Sequence, residues 1–157
     1  MSEFTHFDEC GNAFMADVSG KEITKRTATA TGSIKLSREA MDAVLGKKIK
    51  KGDVLTVAQV AGIAGTKRTS DLIPMCHPLS LTNAKVSFDV DEEACVIKAC
   101  CTASTEGRTG VEMEALTGVS AALLTIYDMC KAIDKRMLIS DIHLVEKTGG
   151  RSGDFKY

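Results

Sequence analysis

The chain has 157 residues, the size of one ordinary domain and enough to bury a single core without metal or disulfide support. Its 20 basic and 21 acidic residues nearly cancel and only 4% of it is aromatic, which removes both the electrostatic footprint and the stacking platforms of nucleic-acid binders. No apolar run approaches the ~20 residues that cross a bilayer and nothing resembles a secretory signal, so a cytoplasmic chain without membrane or nucleic-acid partners is expected.

Residues 1–12, MSEFTHFDECGN, show no period and read as a flexible arm ahead of one α+β domain, residues 13–157. From Arg26 to Leu36 the pattern alternates, with Ala28, Ala30, Ile34 and Leu36 on one face and Thr27, Thr29, Thr31 and Lys35 on the other, as in a half-buried strand. Arg26 falls in phase with the apolar face, so its charge must sit at an open end of that face or meet an anion. Ser37 can N-cap a short helix, SREAMDAVL, closed by Gly46.

A second helix is expected to begin at a capping box formed by Thr56 and Gln59 and to run through VAGIAGTKRTSDL toward Pro74, its small residues favouring close backbone packing. KVSFDVD and ACVIKACCTAS read as a hairpin joined by the turn around Asp91 to Ala94. The longest periodic stretch, TGVEMEALTGVSAALLTIYDMCKAID, predicts a helix of roughly six turns opened by a capping box from Thr109 to Glu112. MLISDIHLVEK reads as a last strand, and TGGRSGDFKY as a mobile tail able to cover a site. The order predicts a mostly antiparallel sheet with helices on one face.

Three features carry chemistry. The first is SDLIPMCHPLSLT, where Cys76 and His77 lie between Pro74 and Pro78; each proline fixes φ and restricts the residue before it, so Met75 to His77 are expected to be stiff and extended. A histidine that is merely hydrogen-bonded in a core is the commoner case. The second is the long helix, on which Glu114 and Asp128, fourteen positions apart, fall within about 40° of one stripe, with Lys131 a turn beyond. A surface pair of Asp128 with Lys131 is the simpler account of those charges. The third is GKKIKKGD, which gathers Lys47, Lys48, Lys50 and Lys51 but lacks GxxxxGK[ST]. None of the six cysteines belongs to a CxxC pair and neither HxH nor HExxH occurs, so no metal site is predicted. Residue types alone leave two readings: an enzyme acting on a small polyphosphorylated metabolite, and a non-catalytic oligomeric module that binds one.

Taken in order and spacing, RTSDLIPMCHPLSLT, TEGRTGVEMEALTGVSAALLTIYDMCKAIDK and VEKTGGRSGDF resemble the cyclic pyranopterin monophosphate synthase family, MoaC, of molybdenum cofactor biosynthesis. MADVSGKEITKRTATATG and KKGDVLTVAQVAGI extend the resemblance from about Met15 to Phe155. It implies a ferredoxin-like α+β sandwich assembled as a homohexamer, a trimer of dimers, with sites at subunit interfaces. It implies a lyase that converts 3′,8-cyclo-7,8-dihydro-GTP, the product of an upstream radical GTP cyclase, to cyclic pyranopterin monophosphate with release of diphosphate.

By the same resemblance Lys51, Lys131 and Asp128 are catalytic, and Met75, Cys76, His77, Met113 and Glu114 bind substrate. Arg26 and Glu112 are further pocket candidates, with Lys67 and Lys147 behind them. No cofactor is obligate on this reading, and Mg2+ is the ion that could accompany the triphosphate. The reaction needs several proton transfers, and a lysine near ~10.4 is a poor base at neutral pH, so two lysines facing each other are expected to lower one another's pKa, with Asp128 restraining that shift.

Overall fold

The computed structural model describes residues 6–157. Residues 1–5 of the expected arm lie outside the described residues. The rest of the arm carries local order: the Asp8 carboxylate accepts from the backbone N–H of Cys10 and Asn12 and from the Asn12 amide, and Phe7 pairs with Ala13.

Strand β1, Thr24–Lys35, is the alternating segment, and its Ala28, Ala30 and Ile34 are fully buried. Helix α1, Arg38–Leu45, starts as expected, with Ser37 Oγ accepting from Ala40 N–H at 3.2 Å and Gly46 at its end. Helix α2, Val54–Thr66, departs from the expected start. Its N-cap is Asp53, whose carboxylate accepts from Thr56 N–H at 3.1 Å and pairs with Lys47 at 2.8 Å. A full carboxylate satisfies the first-turn donors better than a hydroxyl three residues on, and Gln59 is thereby freed to donate to Val86 O at 2.7 Å, tying α2 to the sheet.

Nor does this helix run unbroken to Pro74. It stops at Thr66, and a single turn, α3, Thr69–Leu72, follows. Thr66 Oγ1 donates to Ile63 O and Thr69 Oγ1 to Thr66 O, so hydroxyls take up carbonyls that the next helical turn would otherwise need.

Strands β2, Leu81–Asp91, and β3, Val96–Gly107, form the expected hairpin, with Asp91 accepting from Ala94 N–H at 2.8 Å. Helix α4, Glu112–Cys130, has 19 residues, a rod about 28 Å long. Thr109 does not cap it; Val111 holds the cap position without a side-chain bond, and Glu112 turns instead to Lys147 at 3.5 Å. Strand β4, Leu138–Thr148, follows, and the expected tail folds back as β5, Phe155–Lys156, paired with Glu146 and Lys147.

All pairings are antiparallel in the order β2-β3-β1-β4-β5, and without the short β5 this is the ferredoxin-like βαββαβ arrangement. Helix α4 lies across β1, β3 and β4, with α2 beside it and against β2. The opposite face of β1 and β3 carries paired hydroxyls, Thr27 with Ser104 at 2.9 Å and Thr29 with Thr102 at 3.0 Å.

The two helices approach through glycine. A Cβ on Gly118 would stand 2.5 Å from Cys101 Sγ and 2.8 Å from Thr66 Cγ2, and one on Gly62 would stand 3.0 Å from Gly118 O. Gly118→Val is therefore expected to destabilise the fold by about 3 kcal/mol, the upper part of the overpacking range, in denaturant titrations. Gly20→Ala, where a Cβ meets nothing within 4 Å, should change stability by no more than ~0.5 kcal/mol. Equal midpoints for the two variants would show that the crossing tolerates a wider separation.

Candidate functional site

Helix α4 divides the site residues between its ends. At the C-terminal end the Asp128 carboxylate lies between two ammonium groups, 2.9 Å from Lys51 Nζ and 2.7 Å from Lys131 Nζ. Lys51 also donates to the Asp128 carbonyl at 3.0 Å, which ties the basic loop before α2 to the last turn of α4. Hydrogen bonds from Lys131 and then Lys51 hold the Asp128 carboxyl down at about 2. The same contact raises Lys131, its hydrogen bond and charge pairing with Asp128 favouring the ammonium. The expected depression of the lysine pKa by mutual repulsion is thus reversed at Lys131, because an anion stands between the two cations.

At the N-terminal end Glu114 is only 4% exposed and has no cationic partner in an ion pair among the described residues. Burial pushes its carboxyl up, and the neighbouring Glu112 adds to the shift. It lines a cleft of about 280 Å³ with Met75, Cys76, His77, Met113 and His6. Pro74 and Met75 form a turn, closed by Cys76 N–H to Ile73 O at 3.0 Å, instead of the fully extended segment expected; Cys76 to Ser80 continue without helix or strand. Burial, and then the charge of Glu114, pushes the Cys76 thiol up, so Cys76 packs beside the acid and is no thiolate nucleophile.

A second cleft, about 680 Å³, adjoins the first and shares Lys21, Thr109, Gly110 and Glu112 with it. Arg26 and Lys147 line it. Arg26 sits at the open end of the β1 face, as its phase required, with Nε donating to Gly107 O at 2.9 Å. The structure therefore gathers Arg26, Met75, Cys76, His77, Glu112, Met113, Glu114 and Lys147 at one end of α4, and Lys51, Asp128 and Lys131 at the other. Lys67 joins neither group and stands exposed at the end of α2.

Sequence reasoning passed over His6, Lys21, Arg108 and Arg151, which also line these clefts. They lie in loops, where no periodicity marks them. Arg108 and Arg151 do fall inside the motif stretches TEGRTG and GGRSG, and that position was the available signal.

Against known proteins, residues 15–150 match the model of the MoaC family. The chain belongs to the MoaC family. It is 56% identical over 156 residues to the cyclic pyranopterin monophosphate synthase of Clostridium perfringens, covering 99% of both chains. It is 55% identical over 155 residues to the protein of that name from Desulforapulum autotrophicum, covering 99% of this chain and 95% of the relative. With the Desulfitobacterium hafniense protein of that name it shares 57% over 153 residues, 98% of this chain and 93% of the relative. All the separated site groups described above, from Arg26 to Lys147, fall within the matched MoaC segment.

The two carboxyls predict opposite pH behaviour. Glu114 has a raised folded-state pKa, so its ionisation opposes folding: relative stability is complete below the unfolded value near ~4.3 and declines as pH rises through the higher folded value. Glu114→Gln should raise Tm at pH 7 by roughly 2–4 °C, the shift about 1 kcal/mol produces in a chain of this size, with the two proteins converging near pH 4. Asp128 is depressed, so its contribution is complete above ~4 and is lost as pH falls toward about 2; Asp128→Asn should remove that acid loss. A Glu114→Gln protein that melts below wild type at pH 7 would reveal a partner compensating the buried charge.

Proposed function

We propose that the protein is a cyclic pyranopterin monophosphate synthase, a lyase of molybdenum cofactor biosynthesis that converts 3′,8-cyclo-7,8-dihydro-GTP to cyclic pyranopterin monophosphate and diphosphate. The observation that carries this reading is the Lys51-Asp128-Lys131 group, which joins proton-transfer residues from two parts of the chain at the positions the MoaC resemblance marks as catalytic. Lys131, held as an ammonium by Asp128, starts the cycle as an acid and cation; it becomes a base only after substrate weakens that hold. Glu114, buried and unpaired, suits the ring N–H donors of a guanine-derived heterocycle. Cations stabilise the charge that develops on diphosphate as it leaves. Mg2+ would enter with the triphosphate, as part of the substrate.

The two halves must meet, and one chain keeps them apart: Glu114 and Asp128 are about 21 Å apart along a straight helix. A neighbouring subunit therefore supplies one half, in a homohexamer built as a trimer of dimers. Apolar surface supports assembly: Val60 is 63% exposed, Leu72 64% and Leu124 60%, and α2 is apolar nearly all round. The setting is cytoplasmic, downstream of a radical GTP cyclase, without nucleic acid; among the described residues no helix is long and apolar enough to cross a membrane.

Incubation with the cyclised GTP intermediate should yield the pterin and diphosphate together, whereas a non-catalytic module would bind the compound unchanged. Lys51→Ala and Lys131→Ala should each abolish turnover without loss of assembly, and Lys→Arg should rescue poorly, since a guanidinium keeps its proton. Near-normal rates in a folded alanine variant would remove that lysine from the mechanism.

Exchange between inactive Glu114→Ala and Lys131→Ala subunits tests the shared site. Half of randomly formed dimers are mixed, and each would hold one intact site of two, so recovery should reach about a quarter of wild-type activity. No recovery despite exchange proven by mass spectrometry would place both residues in a site built from one chain, or show that one damaged site disables its neighbour.

A further inference from the structure

Lys131 stands where a helix is least able to hold a side chain. It is the C-cap residue of α4 and opens the turn, residues 131–136, that leads to β4. Every residue of this turn is exposed except Asp134, which is half-buried, so packing holds it weakly. A cleft of about 840 Å³ lies along it, lined also by Lys35 of β1 and Glu39 of α1. The ion pair with Asp128 does not fix Lys131 either: both side chains are more than half exposed, and such pairs are weak in water. Helix ends fray unless their carbonyls are taken up.

Hydrogen bonds supply what packing does not. Cys130 O accepts from Ile133 N–H at 2.9 Å and from Asp134 N–H at 3.1 Å, which continues the last turn of α4 beyond its cap. Two side chains then fasten the turn at both edges. Tyr127, which packs against the core one helical turn before Lys131, donates its hydroxyl to Lys135 O at 3.0 Å. The Asp134 carboxylate accepts from Arg136 N–H and from Ser37 N–H, at the N-cap of α1, each at 2.8 Å. Those two bonds keep the Asp134 carboxyl below its ordinary range, so it is ionised at neutral pH. Neither Tyr127 nor Asp134 lines the clefts at the other end of α4.

We propose that Tyr127 and Asp134 are positioning residues for the lysine pair: they pin the 131–136 turn at Lys135 O and at Ser37 N–H, and so keep Lys131 Nζ on the Asp128 carboxylate that Lys51 shares. The inference rests on the proposed function for the reaction the lysines serve; the fastening of the turn does not. With either tie cut, the turn unwinds from α4, Lys131 leaves Asp128 for part of the time, and proton transfer loses its fixed geometry.

Competitive acetylation of the assembled protein across pH, with each lysine read by mass spectrometry, measures the Lys131 pKa without any substrate. Asp128, by hydrogen bond and charge, and Tyr127, by charge, raise it in the wild type. Asp134 is not among the groups that shift it, so a fall toward the ordinary lysine value in Asp134→Ala must travel through the turn. Asp134→Asn keeps one acceptor oxygen and should lie between Asp134→Ala and wild type. Tyr127→Phe keeps the ring and its packing and removes only the hydroxyl. It should show the same fall and, in turnover, a kcat about tenfold lower or more with KM within about twofold of wild type. Because its packing is intact, Tyr127→Phe carries the kinetic test even if Asp134→Ala melts early, and Asp134→Asn then carries the labelling test.

A Lys131 pKa that stays at the wild-type value in both Asp134 variants would overturn the proposal, and so would a rise in KM alone in Tyr127→Phe. A fall in kcat without any movement of the Lys131 pKa would overturn it too, since the tyrosine would then act elsewhere. If the wild type turns over the cyclised GTP intermediate while the variants match it in kcat and in Lys131 pKa, this inference fails and the functional reading stands. If the Lys131 pKa follows Tyr127 and Asp134 but the wild type gives no turnover, the positioning stands and the functional reading fails.

Discussion

An α-helix fixes the spacing of every side chain it carries, and α4 is held in place by its burial across the sheet and by its glycine contact with α2. Its two ends are therefore two fixed electrostatic environments, about 28 Å apart. Glu112 and Glu114 occupy the first turn, where the helix dipole favours negative charge. Asp128 occupies the last turn, where the dipole opposes it, and the lysines on either side offset that cost. Neither arrangement survives if the other element drifts: Lys51 reaches Asp128 only because α2 is anchored through Asp53 and Gln59 and seated on α4.

The same helix thus carries carboxyls of opposite character. Asp128, exposed and doubly paired, stays ionised down to about 2. Glu114, buried and unpaired, is pushed the other way. On the proposed reading, a split of this kind assigns different work to chemically similar groups: the first positions ammonium protons, the second waits for donors on a ligand. It also explains the buried charge energetically. An unpaired buried carboxyl opposes folding, and a bound ligand that supplies its donors recovers the loss as affinity.

Where periodicity or capping chemistry is local, the sequence was readable. Alternation in β1, the Ser37 cap of α1 and the acidic turn before β3 all appear as read. The reading failed where two local solutions competed. Thr56 with Gln59, and Thr109 with Glu112, satisfy a capping pattern, but Asp53 offered a stronger cap and Lys147 a charged partner for Glu112, and both of those choices depend on tertiary neighbours. The same holds for Lys131, whose raised pKa follows from an anion placed between it and Lys51 rather than from the cations alone. Arg108 and Arg151 were quoted as parts of motifs without being assigned work, because a loop arginine acquires meaning only once a cleft exists to point it into.

On the proposed reading, the division between the ends of α4 follows from incompatible demands. A polyphosphorylated substrate calls for a high density of cations, such as the Arg26, Arg108, Lys147 and Arg151 cleft offers, and a proton-transfer lysine placed among them would lose the carboxylate that holds its proton ready. The proton-transfer lysines instead need an acid between them and room to exchange it for substrate, which the exposed Lys51-Asp128-Lys131 group provides. Keeping the two environments a helix length apart within a chain preserves both. Bringing them together across an interface allows binding energy from the phosphate chain to be spent on orienting the heterocycle against lysines whose protonation was set elsewhere. On that reading assembly is a condition of the chemistry, since an isolated subunit would hold a binding half without bases and a basic half without a place for the substrate.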